Sequence, residues 1–187
     1  MAASVSFLGR AICAAALFAT ATSLSAQGSS SANNPQIDFP AFVAMAATVQ
    51  EIRESHLLGL TDFQAMAARP DTLLLDARSA EAFRAGHIEG AVNLPLPDFT
   101  AGSLADVIGP DSNRPILIYC NNNFVNDVAP VVRKAVSLAL NIQTMINLHG
   151  YGYANVFELA DAVDLTDPTV RWVALPDIGG GSIDGAK

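Results

Sequence analysis

Two uninterrupted apolar runs, each ending in a residue with chemistry of its own, constrain this chain more than any other feature. "TLLLDA" (72–77) carries Leu73, Leu74 and Leu75 into Asp76, and "PILIYC" (115–120) carries Ile116, Leu117, Ile118 and Tyr119 into Cys120. A strand with one wet face would show a polar residue at every second position. Runs without that alternation belong to strands covered on both sides, the condition of a parallel sheet flanked by helices. The rest of the pattern agrees. Helical spacing over 40–55 places Phe42, Val43, Ala46, Val49 and Ile52 on one side. Thr61 and Gln64 form a capping box for a short helix to about Ala68. A helix is expected at 79–85, a short strand in "GAVNLP", a helix at 98–108, mostly helix over 127–148, and a last strand in "NVFEL" (155–159). Strands alternating with helices predict an α/β domain, three layers deep, with a mainly parallel sheet.

In open parallel sheets, ligands gather beyond the carboxyl ends of the strands, where Asp76 and Cys120 both fall. Cys120 is followed by "NNNFVN", an unusual loop with three consecutive asparagines and no basic residue before Arg133. Arg133 and Lys134 lie in the predicted 127–148 helix, with Asp127 as its cap, Pro130 in its first turn and the two cations toward solvent. No cofactor is called for. No CxxC pair or His/Cys cluster exists from which to build a metal site, so none is expected.

The N-terminus bears on where the thiol works. Residues 1–26 contain one base, Arg10, no acid, and the alanine-rich stretch "AICAAALFATATSLSA", which is the layout of a signal peptide. Residues 27–37 read as a disordered linker, 38–175 as the folded domain, and 176–187, with "GGGS", as a disordered tail. Export to the periplasm or beyond is expected, with no stable membrane insertion once the leader is removed. Cleavage would also remove Cys13, leaving Cys120 as the sole thiol. It would then be either core filling or chemistry. The formal net charge of −8, made more negative by loss of Arg10, argues against a nucleic-acid partner.

Together these residues resemble a family. "LLLDARSAEAFRAGHIEGAVNLP" (73–95), with Asp76, Arg78, Phe83, Gly86, His87, Ile88, Gly90, Ala91 and Asn93, is similar to the signature of rhodanese-like domains. The strand-end Cys120 and "GYGYANVFEL" (150–159) follow in the family's order. The resemblance runs from about 56 to 172. It implies a sulfurtransferase or persulfide carrier in which Cys120 accepts sulfane sulfur from a small sulfur-containing donor and passes it to a thiol or sulfide-type acceptor. The backbone amides of Asn121, Asn122, Asn123, Phe124, Val125 and Asn126 would cradle the substrate, and Asp76, Arg78 and His87 would be structural. The alternative is a catalytically silent binding module on the same fold.

The family's arginine about five residues after the cysteine is missing, since Val125 and Asn126 stand there. A dianion needs fixed positive charge at the reacting centre, so thiosulfate and phosphate esters are disfavoured against neutral persulfides. A free thiol with a pKa of ~8.5 is only about 3% ionised at pH 7, and bringing it to ~6.5 takes ~2.7 kcal/mol. Loop amides and a helix N-terminus are the expected source, keeping the thiol ionised near neutrality.

Overall fold

The computed structural model describes residues 34–174. The expected leader, most of the linker and the C-terminal tail lie outside them. Among the described residues no helix is long and apolar enough to cross a membrane.

In chain order the elements are α1 (Phe39–Arg53), β1 (Leu57–Leu58), α2 (Leu60–Ala67), β2 (Leu73–Asp76), α3 (Ala80–Ala85), β3 (His87–Ile88), β4 (Val92–Asn93), α4 (Ala101–Ile108), β5 (Ile116–Tyr119), α5 (Leu140–Gly150), β6 (Val156–Leu159) and β7 (Trp172–Val173). Five strands form one sheet in the order β1-β6-β5-β2-β4, every pairing parallel. The antiparallel pair β3–β7 stands apart as a small ribbon. β2 and β5 are neighbours at the centre, Asp76 level with Tyr119, and all eight of their residues are buried. Their apolar runs therefore serve two cores. Leu73, Leu75, Ile116 and Ile118 pack with α4, α5 and Val49 of α1 on one face, whereas Leu74, Leu117 and Tyr119 pack with Phe63, Phe124 and Val131 on the other.

Local signals explain several boundaries. Ser79 caps α3 by accepting from Ala82 N, and Thr100 with Ser103 makes a reciprocal capping box for α4. Gly86, after α3, lies so close to the Trp172 ring that a Cβ there would meet it at 2.6 Å. A side chain at this position would force the Trp172 ring to shift.

Three expectations are corrected. Thr61 and Gln64 do not form a capping box. Gly59 is the N-cap of α2, Asp161 from the end of β6 accepts from Leu60 N at 2.7 Å, and Gln64 instead donates to Val170 O. On α1, Phe42 and Val43 are exposed and Val49 is buried, with Met45 and Ala46 packed partly buried against the same core.

The third correction concerns 127–148. Only its last part is helix, since α5 starts at Leu140, and residues 127–139 form an irregular strap. Asp127 adopts a left-handed backbone (φ 46°) and caps no helix; its carboxylate accepts from Arg133 N and Arg133 Nη2, closing a loop around Pro130. Asn121 donates to Val132 O, while Asn122 both donates to Lys134 O and accepts from Lys134 N. Carboxamides that occupy main-chain groups in this way compete with helix hydrogen bonds. Val131 plugs the strap into the second core, leaving Val132 and Val136 exposed despite their helical spacing, and Leu138 exposed beside them.

Candidate active site

Cys120 directly follows β5 and is only 1% exposed. The next three residues, Asn121–Asn123, form one turn of 3-10 helix. Asn123 fastens that turn from beneath: its Oδ1 accepts from Cys120 N at 2.9 Å and its Nδ2 donates to Leu159 O at 2.7 Å. Asn141, in the first turn of α5, donates through Nδ2 to both Asn123 Oδ1 and Glu158 Oε1. Glu158 on β6 is itself buried, and Arg53 at the end of α1 grips it with two hydrogen bonds of 2.7 and 2.8 Å. A continuous polar chain thus runs from the cysteine main chain through Asn123, Asn141 and Glu158 to Arg53. Every link is satisfied, as a buried polar network requires.

The groups around the thiol differ from the expected cradle. The backbone amides of Asn141, Asn122 and Leu140 lie near enough to the sulfur to favour its charged form. Two of the three belong to the first turn of α5, twenty residues further along, so the helix N-terminus does reach the cysteine but only after the strap's detour. The amides of Phe124 and Val125 are engaged elsewhere, with Asn121 O and Val163 O. Phe124 lies in the core edge-on to Tyr119 and Trp172, Val125 is exposed, and Asn126 is held by Asp164 and Leu165 N. Of the six predicted loop residues, Asn122 and Asn123 line the cavity above the thiol. Asn121, Phe124, Val125 and Asn126 do not.

The protonation expectation is also overturned. Burial pushes the Cys120 thiol up, the three amides pull it down, Glu158 pushes it up again, and the outcome lies above the ordinary thiol range. In this conformation the resting group is a thiol, not a thiolate.

The cavity over Cys120 has a volume of about 960 Å³. Its floor is Cys120, Asn123 and Glu158. One wall is α1 through Ala46, Val49 and Arg53, another is α5 through Ile142, Met145 and Ile146, and the strap supplies Arg133, Lys134 and Val136. Arg133 and Lys134, expected on the solvent side of a helix, are exposed but border this space. Sequence reasoning did not single out Arg53, Asn141 or Glu158 as site residues. Glu158 in the run "NVFEL" was the available signal, a charge in a strand otherwise reading as buried.

Asp76 and Arg78 make a separate network beside the site. The Arg78 guanidinium, 2% exposed, pairs with Asp76 at 2.6 Å, donates to Gly86 O and Pro130 O, and lies over the Tyr119 and Trp172 rings. Burial, then the Asp76 charge, keeps the Tyr119 hydroxyl protonated; it donates to Asp76 at 2.6 Å and accepts from Ile88 N. His87 stacks on Phe83 with Nδ1 on Phe83 O. None of Asp76, Arg78 and His87 lines the cavity. Neither does His149, which sits near the far end of α5.

Comparison with known proteins adds the following. No curated protein matches the chain. Similar solved structures include the rhodanese-like domain of an Anabaena sp. protein, with 15% identity, 71% of this chain and 89% of that one covered, and a TM-score of 0.47. The human single-domain sulfurtransferase has 18% identity over 58% and 91% of the two chains and a TM-score of 0.41. A thiosulfate sulfurtransferase from Pseudomonas aeruginosa has 19% identity over 66% and 21%, with a TM-score of 0.41. The Rhodanese-like domain family matches residues 60–164, more than half of the sequence and the stretch that holds β2, β5, β6 and Cys120, and the chain belongs to that family.

Proposed function

We propose that the protein is a sulfurtransferase or persulfide carrier acting through Cys120. The observation that carries this reading is the position of Cys120, just past a strand's carboxyl end, lining a 960 Å³ cavity beside the first turn of α5, whose backbone amides favour charge on the sulfur. Amides so placed favour negative charge on sulfur as it develops during transfer. The step with a persulfide donor balances without an oxidant. Cys120 sulfur attacks the outer sulfur of R–S–SH, the donor S–S bond breaks as the new S–S bond forms, and R–S⁻ leaves with the proton that Cys120 gives up. The products are Cys120 persulfide and R–SH, and a thiol acceptor reverses the sequence. The same reading has the protein exported, its leader ending near Ala26; N-terminal mass analysis of the protein recovered outside the cytoplasm tests that.

Intact-mass measurement after polysulfide treatment tests the chemistry. A gain of one sulfur, ~32 Da, mapped to Cys120 and lost on adding thiol supports it. A protein that never gains sulfur sinks it. One observation favours the second reading, a binding module without turnover: the thiol is buried and its ionisation suppressed. Cys120→Ser separates the two, because a module keeps its biological effect and a carrier loses it.

A further inference from the structure

Inorganic sulfur donors are small and this cavity is not. Pockets of about 300–1,000 Å³ enclose drug-sized ligands, and 960 Å³ lies at the upper end of that range. Its walls are mostly aliphatic, with Ala46 and Val49 from α1 facing Ile142, Met145 and Ile146 from α5. α1 precedes the family match at residues 60–164, so the wall opposite α5 comes from sequence outside that match.

The charges are unevenly placed. Three basic residues border the cavity, Arg53, Arg133 and Lys134, and two acids, Asp127 and Glu158. Arg53 pairs with Glu158 and Arg133 with Asp127. Among the described residues Lys134 makes no ion pair, and its main chain is pinned to Asn122 on both sides. The cavity therefore carries one surplus positive charge in a protein of net charge −8. The charge that acts on the sulfur itself is the Glu158 carboxylate, which shares the cavity lining with Cys120 and disfavours a donor whose own negative charge sits at the reacting atoms.

We propose that the cavity binds an organic persulfide with an aliphatic body and a carboxylate remote from its sulfur, the body lying between α1 and α5 and the carboxylate beside Lys134. This rests on the sulfur-transfer reading of Cys120 and names its donor class. Burying each methylene favours binding by about fourfold. An exposed ion pair adds at most about fivefold.

The test measures the second-order rate of Cys120 persulfidation, by intact mass, with four donors: the persulfides of 6-mercaptohexanoate, 3-mercaptopropionate and 6-mercaptohexanol, and inorganic tetrasulfide. The six-carbon acid is expected to exceed the three-carbon acid more than about tenfold, from three further methylenes. Lys134→Gln should cost the six-carbon acid up to about fivefold and leave the alcohol unchanged. Ala46→Phe, which fills the space, should slow both six-carbon donors and spare tetrasulfide. Labelling of Cys120 at rates indifferent to chain length and to these variants overturns the donor assignment while leaving sulfur transfer intact. Absence of labelling by all four donors overturns both.

Discussion

Arg53 and Glu158 face each other across 105 positions of sequence with two hydrogen bonds of 2.7 and 2.8 Å, joining α1 to the floor of the thiol cavity. Glu158 is 7% exposed at its side chain and Arg53 38%, so Arg53→Ala strands a buried carboxylate. We expect a loss of about 1–3 kcal/mol in urea denaturation. The same variant leaves the Glu158 charge uncompensated and raises the thiol's ionisation midpoint, read from the pH dependence of iodoacetamide labelling. Glu158→Gln should lower that midpoint instead.

The elevated thiol pKa has a consequence for stability. Its folded value lies above the unfolded one, so the folded state holds its proton where the unfolded state has lost it. Stability from this source is complete below the unfolded pKa of about 8.5 and declines as the pH rises from there toward the folded value. Urea midpoints at successive pH values should fall more steeply for the wild type than for Cys120→Ser above that point. Parallel curves would show that the cysteine titrates alike in both states.

Two neighbouring asparagines are expected to respond differently. Asn122 holds the strap through Lys134 at the surface, so Asn122→Ala should cost no more than about 1 kcal/mol while speeding alkylation of Cys120. Asn123 is buried and satisfies Cys120 N, Leu159 O and Asn141 Nδ2. Its replacement by alanine leaves those groups without partners and should cost about 1–3 kcal/mol or more.

Asp76 is fully buried, and its oxygens accept from Arg78 and Tyr119. Arg78→Met removes the cation and should destabilise by about 3–5 kcal/mol, the penalty for breaking a buried pair from one side. Tyr119→Phe, which leaves the ion pair in place but frees Ile88 N, should cost about 1–3 kcal/mol. Thermal melts of both variants order the two contributions.

What could be read from the sequence was what neighbouring residues decide. The strands at Leu73–Asp76 and Ile116–Tyr119 and the helices expected at 79–85 and 98–108 depend on spacing within a few positions, and the structure has them close to where expected. The surroundings of the thiol depend on distant partners. Val128, Val131, Val132 and Val136 repeat at helical intervals, yet Asn121 and Asn122 capture the main chain there and the helix waits until Leu140. Nothing near Cys120 in sequence announces that Leu140 and Asn141 will supply its amides, or that Arg53 will neutralise Glu158. The suppressed ionisation was illegible for the same reason, because burial under α1 and the strap is a tertiary property.

The facing of the cavity by α1 separates two kinds of heritable change. Residues 60–164 hold Cys120, the strap and α5, while the facing wall of the cavity comes from Phe39–Arg53, upstream of that match. On the donor assignment proposed above, substitutions along that upstream helix would retune what the cavity accepts without touching Cys120 or β5.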